Sequence, residues 1–337
     1  MNLQGETLQA GQTRLEERRR RVRRAEVVVG MIPMIACVLL GVLYLIAAAV
    51  RGYDLEIGFS VVVSNATPVA LVATGATFIF TSGSFDLSLG ANMLVSALLG
   101  ALVARQTGNL FLMLVVTFLT SILLSVLNAL LATFFNLPVF IMTIVMMNVY
   151  QATSTLILSS LGTNASLSVP LSMVSGLNHT GFRIALLLGF EAFCCVVFYL
   201  LPVGRRQQFL GGNPLCAYLS GIRSKPLTVL SFALAGIGIG LAAFAMAVET
   251  PTLSASSGSS VGMNMLIALV FGGMKMSGGP GSRMYAAMLG AFSMAFLDAF
   301  MNIFVTGSWY LQIVKGILFV TVVFLFSLAG RPKLLER

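Results

Sequence analysis

The chain has 337 residues, of which 58% are hydrophobic and only 9% charged, with a formal net charge of +9. A soluble domain carries about 25% charge, so these few charges cannot cover a water-facing surface, and most of the chain must be solvated by a bilayer. The placement of the positive charge excludes nucleic-acid binding: it gathers in a tail and in short connections, not on one face of a soluble fold.

In chain order, residues 1–25 are polar and end in the basic run Arg18-Arg19-Arg20-Arg21-Val22-Arg23-Arg24. They read as a cytoplasmic tail that fixes orientation or lies on the anionic inner leaflet. Ten apolar segments follow at 27–50, 61–81, 88–104, 109–134, 138–159, 182–203, 227–248, 262–274, 284–305 and 308–329. At about 20 residues per crossing, they predict an all-α integral membrane protein with about ten transmembrane helices. The eighth is short and rich in glycine, and is expected to be short or broken. The domain layout is therefore a tail over 1–25, one transmembrane domain over 26–330 and a C-terminal tail over 331–337. The first apolar run is too long to be the core of a secretory signal.

Placing the N-terminus in the cytoplasm puts both termini inside. It gathers the N-terminal arginines, Arg205, Arg206, Arg223, Lys225, Lys275, Arg283, Arg331, Lys333 and Arg337 there, as the positive-inside rule requires. The long, nearly uncharged connection 160–181 then faces outward, either as a passive link or as a docking place for an external partner.

A weak internal echo is also present. Ser82-Gly83 is followed 17 residues later by Gly100, and Gly272-Gly273 at the same offset by Gly290, which suggests a duplicated loop-plus-helix unit.

No catalytic constellation appears. There is no GxxxxGK[ST] loop to cradle nucleotide phosphates, His179 has no partner of its kind, and Cys37, Cys194, Cys195 and Cys216 lack metal-ligand spacing. The chain is expected to be no enzyme and to hold no metal or cofactor. The ionisable residues inside apolar segments are Glu191, Asp298 and Lys315. Such residues need partners. At about 1.5 Å per residue, all three lie at similar depth, so Lys315 is expected to pair with Asp298 or with Glu191. Asn302 lies one turn from Asp298. The cluster is either a buried structural pair or part of a polar path.

Four stretches carry more specific information. They are Val72–Gly90 with Gly83-Ser84-Phe85-Asp86-Leu87-Ser88-Leu89-Gly90, then Asn128–Leu130 with Asn136–Thr143, then Leu210-Gly211-Gly212-Asn213-Pro214-Leu215-Cys216-Ala217-Tyr218-Leu219-Ser220-Gly221-Ile222, and Ala268–Ser282. Their order and spacing over residues 60–330 resemble the permease subunits of ribose-type sugar ABC importers. Three positions depart from the usual pattern: Ser84-Phe85 stands for Gly-Ile, Cys216 for Ala, and Gly262 for an acidic residue. The solute therefore stays open among monosaccharides, nucleosides, a furanosyl autoinducer and branched-chain amino acids. An ion-coupled secondary transporter is the rival mechanism.

The resemblance implies a multi-pass permease of the inner (plasma) membrane, paired with a second copy or a paralogue. It further implies an ABC ATPase subunit carrying ATP and Mg, and an extracytoplasmic solute-binding protein. It makes the stretch with Gly211, Gly212, Asn213, Ala217, Ser220 and Gly221 the ATPase-coupling segment. There, Asn213 is expected to cap a short helix over Pro214–Leu219 that Ser220-Gly221 ends. Asp86, Asn136, Phe140, Thr143, Asp298 and Asn302 are candidates for the path or a gate, although the first expectation for Asp86 is an N-cap.

Overall fold

A computed structural model describes residues 31–161, 166–250, 252–275, 278–304 and ten positions between 310 and 324. Both predicted tails lie outside these residues. Among the described residues, eight helices are long and apolar enough to cross a membrane. They are α1 (Met31–Arg51), α2 (Leu55–Thr81), α3 (Leu89–Thr107), α4 (Leu110–Phe134), α5 (Val139–Ser159), α7 (Thr180–Cys195, prolonged by a π turn over Val196–Leu200), α10 (Ser224–Glu249) and α12 (Tyr285–Phe304). The expected short segment is α11 (Ser259–Phe271), too short for a full crossing. The described positions from 310 to 324 are helical. Between the crossings lie α6 (Leu171–Val174), α8 (Pro202–Gly212) and α9 (Pro214–Leu219). The chain is thus an all-α, multi-pass membrane protein.

The core is built around α2 and α10. From Val62 onward α2 is buried almost all round, and α10 nearly as fully. Such helices need small residues, because lipid tails supply no hydrophobic drive and association rests on close packing. Accordingly, Gly75 of α2 lies against Ala235 of α10, and Gly238 of α10 against Leu71 of α2. The helices α3, α4, α7 and α12 surround this pair. At the rim the sequence changes character: α1 presents Met34, Ile35, Val38 and Leu39, and α4 presents Leu119, Leu123, Leu127 and Leu130, all exposed. These are surfaces for acyl chains.

Among the described residues, two elements are not helical. In the long connection after α5, β1 (Ser166–Ser168) pairs antiparallel with β2 (Thr252–Ser254), with Leu167 opposite Leu253. Both leucines are fully buried, so the two connections at this end of the molecule are stitched together. Sequence gave no such signal, because Ser-Leu-Ser and Thr-Leu-Ser are too short to show alternation.

The internal echo has a structural counterpart. Helix α2 ends with Gly83 at φ 78° and α11 with Gly273 at φ 82°. Both ends make the same pair of bonds: Gly83 N–H to Phe80 O with Ser84 N–H to Ile79 O, and Gly273 N–H to Val270 O with Met274 N–H to Leu269 O. Each is a Schellman end, which requires the left-handed conformation that glycine adopts without strain.

Candidate functional site

Three groupings gather most of the residues singled out by sequence. The first surrounds α9. Asn213 stands between α8 and α9 in extended conformation, and its side chain accepts a hydrogen bond from Cys216 N–H at 3.1 Å. Pro214 occupies the first helical position, where its missing N–H is not needed. Six residues later, Gly221 N–H bonds to Tyr218 O and Ile222 N–H to Ala217 O, a third Schellman end with Gly221 at φ 78°.

Ala217 is fully buried and packs with Leu210, Leu227 and Ile222. The opposite side of α9 is bare: Leu215, Tyr218 and Leu219 are 67%, 75% and 76% exposed. They lie three and four residues apart, hence on one face. None of the described residues covers this face, and Arg205, Arg206, Arg223 and Lys225 stand exposed in the segments around it.

Behind α9 the glycine-rich stretches converge. A side chain on Gly211 would overlap the carbonyl oxygen of Thr81 and lie 2.8 Å from the Gly279 nitrogen. Gly279 N–H donates to Thr81 O at 3.0 Å, and Gln208 Nε2 donates to Ser282 O at 3.3 Å. The end of α2, the end of α8 and the 278–282 segment therefore touch backbone to backbone. The Tyr199 hydroxyl in the π turn accepts from Met284 N–H at 3.3 Å, which ties the end of α7 to the approach to α12.

The second grouping is a buried polar chain at the break between α2 and α3. Asp86 is fully buried. It is not the N-cap of α3: Ser88 occupies that position. Instead, Asp86 Oδ1 accepts from both the N–H and the hydroxyl of Ser88, each at 2.7 Å. This Asx turn shapes the connection two residues before the helix begins. Asn128 of α4 donates to the Ser88 hydroxyl at 2.7 Å, and the Tyr150 hydroxyl of α5 lies 2.6 Å from Asn128 Oδ1. Leu87 N–H reaches Thr143 Oγ1 at 3.4 Å. Asp86 Oδ2 has no hydrogen-bond partner among the described residues.

Burial pushes the Asp86 carboxyl up to about 6, against the opposing pull of Ser88 and Asn128. The folded protein therefore holds this proton more tightly than the unfolded chain, so the associated stability is greatest below about pH 4 and is lost as pH rises through about 6. Thermal unfolding in detergent across this range should show the decline, and Asp86→Asn should flatten it. An unchanged slope in the variant would place the titration elsewhere.

The third grouping is charged. Lys315 Nζ lies 2.8 Å from Asp298 Oδ1 and 2.9 Å from Oδ2, and it also donates to Asn264 Oδ1 of α11 at 3.3 Å. Glu191 is not in this cluster: it accepts from the Thr74 hydroxyl at 2.9 Å and is approached by Cys195 Sγ at 3.8 Å.

The remaining candidates lie apart from these groupings. Asn136 is exposed at φ 51° after α4, an asparagine doing the turning work of a helix-ending glycine. Phe140 and Asn302 are exposed. Sequence reasoning missed Ser88, Tyr150 and Asn264 as site members. Nothing local marks a single serine, tyrosine or asparagine on an apolar helix as one end of a long-range bond.

Several apolar crossings, a short broken segment and an exposed apolar helix outside the membrane describe a transport component, with no arrangement for covalent chemistry among the described residues. The sequence profile described as branched-chain amino acid transport system / permease component matches residues 58–323. The chain belongs to this family of multi-pass inner-membrane permeases of ABC transporters. It is 27% identical over 262 residues to the ribose import permease protein of Bacillus subtilis (strain 168), covering 76% of this chain and 80% of that one. The ribose import permease protein of Haemophilus influenzae is also 27% identical, over 279 residues, covering 79% and 83%. The autoinducer 2 import system permease protein of Escherichia coli (strain K12 / DH10B) is 23% identical over 269 residues, covering 78% and 77%. No solved structure matches the chain.

Proposed function

We propose that this chain is the membrane half of an ATP-driven importer for a small uncharged solute, a monosaccharide or a close relative of one. In this reading an extracytoplasmic binding protein delivers the solute, and a second copy or paralogue completes the path. A separate ATPase subunit, which alone carries ATP and Mg, presses on α9. The termini and the α9 side face the cytoplasm.

The observation that carries the reading is the bare face of Leu215, Tyr218 and Leu219. Three large apolar side chains kept in water have no use to an isolated permease, and they suit a cleft on a partner. The Asn213 cap and the Gly221 end hold this face rigid, as a part that transmits force must be. The relatives' names point to ribose and autoinducer 2, which supports a sugar-like solute. The family description instead mentions branched-chain amino acids. A zwitterion would need a free cation and a free anion in the path, and Lys315 and Asp298 are committed to each other.

The test is purification from the native membrane with the neighbouring subunits present. ATP hydrolysis should accompany the parent protein and be lost from a variant carrying both Tyr218→Asp and Leu219→Asp, at equal abundance in the membrane. Retention of full ATPase activity by that variant would remove α9 as the docking element.

A further inference from the structure

The exposed surface of α5 differs from every lipid-facing surface described above. Helix α4 exposes only leucine and phenylalanine, from Phe111 to Phe134. On α5, exposed Val149 and Leu156 flank a stripe of Asn148, Gln151, Ala152, Thr155 and Ser159, all exposed as well. Their spacing of three and four residues places them on one face. The stripe begins at the middle of the 21-residue helix and runs to its C-terminal end. The other half of the helix, by contrast, exposes Phe140, Ile141 and Val145.

The apolar half is also the half nearer α9. Thr143 on its first turns meets Leu87 in the α2–α3 break, and the end of α2 touches Gly211 at the root of α9. The polar stripe therefore opens on the side of the membrane away from α9.

Among the described residues, the two amides do not find a full set of partners. Asn148 Nδ2 bonds only to the Ile144 carbonyl one turn back, at 2.9 Å, which leaves its Oδ1 free. No side chain among the described residues meets the Gln151 amide. At the midpoint of a crossing, about 15 Å from either end at 1.5 Å per residue, such groups facing acyl chains would be left unbonded, which hydrocarbon penalises heavily. They must face water or a polar partner. Helix α5 contains no charged residue. Amides and hydroxyls each both donate and accept, the pattern that matches the hydroxyl groups of an uncharged solute.

We propose that Asn148, Gln151 and Thr155 form one wall of a water-filled vestibule that opens away from α9, with the two amides at its floor contacting an uncharged, hydroxyl-rich solute. The apolar stretch Phe140–Val145 closes the path below them. This deepens the importer reading and rests on it for the solute, but the vestibule itself does not need it.

The experiment separates the two. Cells expressing Gln151→Cys, Thr155→Cys, Leu123→Cys and the parent are treated from outside with a sulfonated, membrane-impermeant maleimide. The parent's exposed thiol is Cys216 on α9, on the far side from the reagent. Gln151→Cys and Thr155→Cys should label, while Leu123→Cys and the parent should not. In parallel, Gln151→Leu at equal membrane abundance should cut uptake of ribose at least tenfold, with Gln151→Asn recovering part of it.

Absence of labelling at both 151 and 155 would overturn the vestibule. Cross-linking of Gln151→Cys into a covalent dimer together with that absence would assign the stripe to a packed contact between copies. Unchanged ribose uptake in Gln151→Leu would remove the solute contact. Parent cells that accumulate no sugar, with labelling intact, would overturn the importer reading and leave the vestibule standing.

Discussion

Lys315→Met alone should destabilise the protein by about 3–5 kcal/mol, the cost of stranding a buried charge without its partner. Lys315 Nζ sits 2.8 and 2.9 Å from the two Asp298 oxygens, and both side chains are largely shielded. With Lys315 removed, Asp298 on α12 is left without its counter-charge and Asn264 loses its donor. Asp298→Ala should cost a similar amount for the mirror reason. The double variant should recover much of the loss, since no charge is then left uncompensated. Thermal unfolding of the three variants in detergent measures this, and additive single losses with no recovery would show that the pair contributes no coupling. An uptake assay on the double variant then separates two roles. Normal transport marks a purely structural pair, while a stable protein with poor uptake marks a pair in the path.

Gly211→Val should abolish transport while leaving insertion intact. A Cβ at this position would overlap the Thr81 carbonyl oxygen and crowd the nitrogens of Gly279 and Gly83. All of these are backbone atoms, and none can swing aside. The end of α8 must therefore move off the end of α2, which breaks the Gly279 N–H to Thr81 O bond and tilts α9. Uptake should fall at least tenfold with normal membrane abundance. Gly212→Ala provides the graded control: its Cβ would meet only the Pro280 ring, at 3.1 Å, and a shift of a few tenths of an ångström relieves it. Normal uptake by Gly211→Val would mean that this contact carries no force between α9 and the membrane helices.

The crossings were legible in the sequence because each is a long apolar run, and length against bilayer thickness is a strong signal. The cap of α9 was equally legible, since Asn-Pro at one end and Ser-Gly at the other state their backbone geometry locally. Lys315 and Asp298 were paired from depth and sign alone, while Glu191 was resolved only by the fold, which places it beside Thr74. Asp86 misled as an N-cap because Ser88, two residues on, is also a good capping residue and lies nearer the first helical turn. The Asp86–Ser88–Asn128–Tyr150 chain was invisible, since it joins positions tens of residues apart on three elements. The stripe on α5 was present in the sequence as Asn148, Gln151 and Thr155, but only the packing of the other face against α3 and α4 reveals which side is free.

Where the ends of α2 and α8 and the 278–282 segment meet, main chain rests on main chain. Contacts of this kind contain no rotamers to flip and no methylenes to compress, so they have almost no slack. A push delivered to α9 is passed on as displacement, much as in a rigid linkage, and is not absorbed by rearranging side chains. The same stiffness constrains sequence change. A larger residue at Gly211, Gly278 or Gly279 cannot be accommodated by trimming a neighbour, because the neighbours have nothing left to trim.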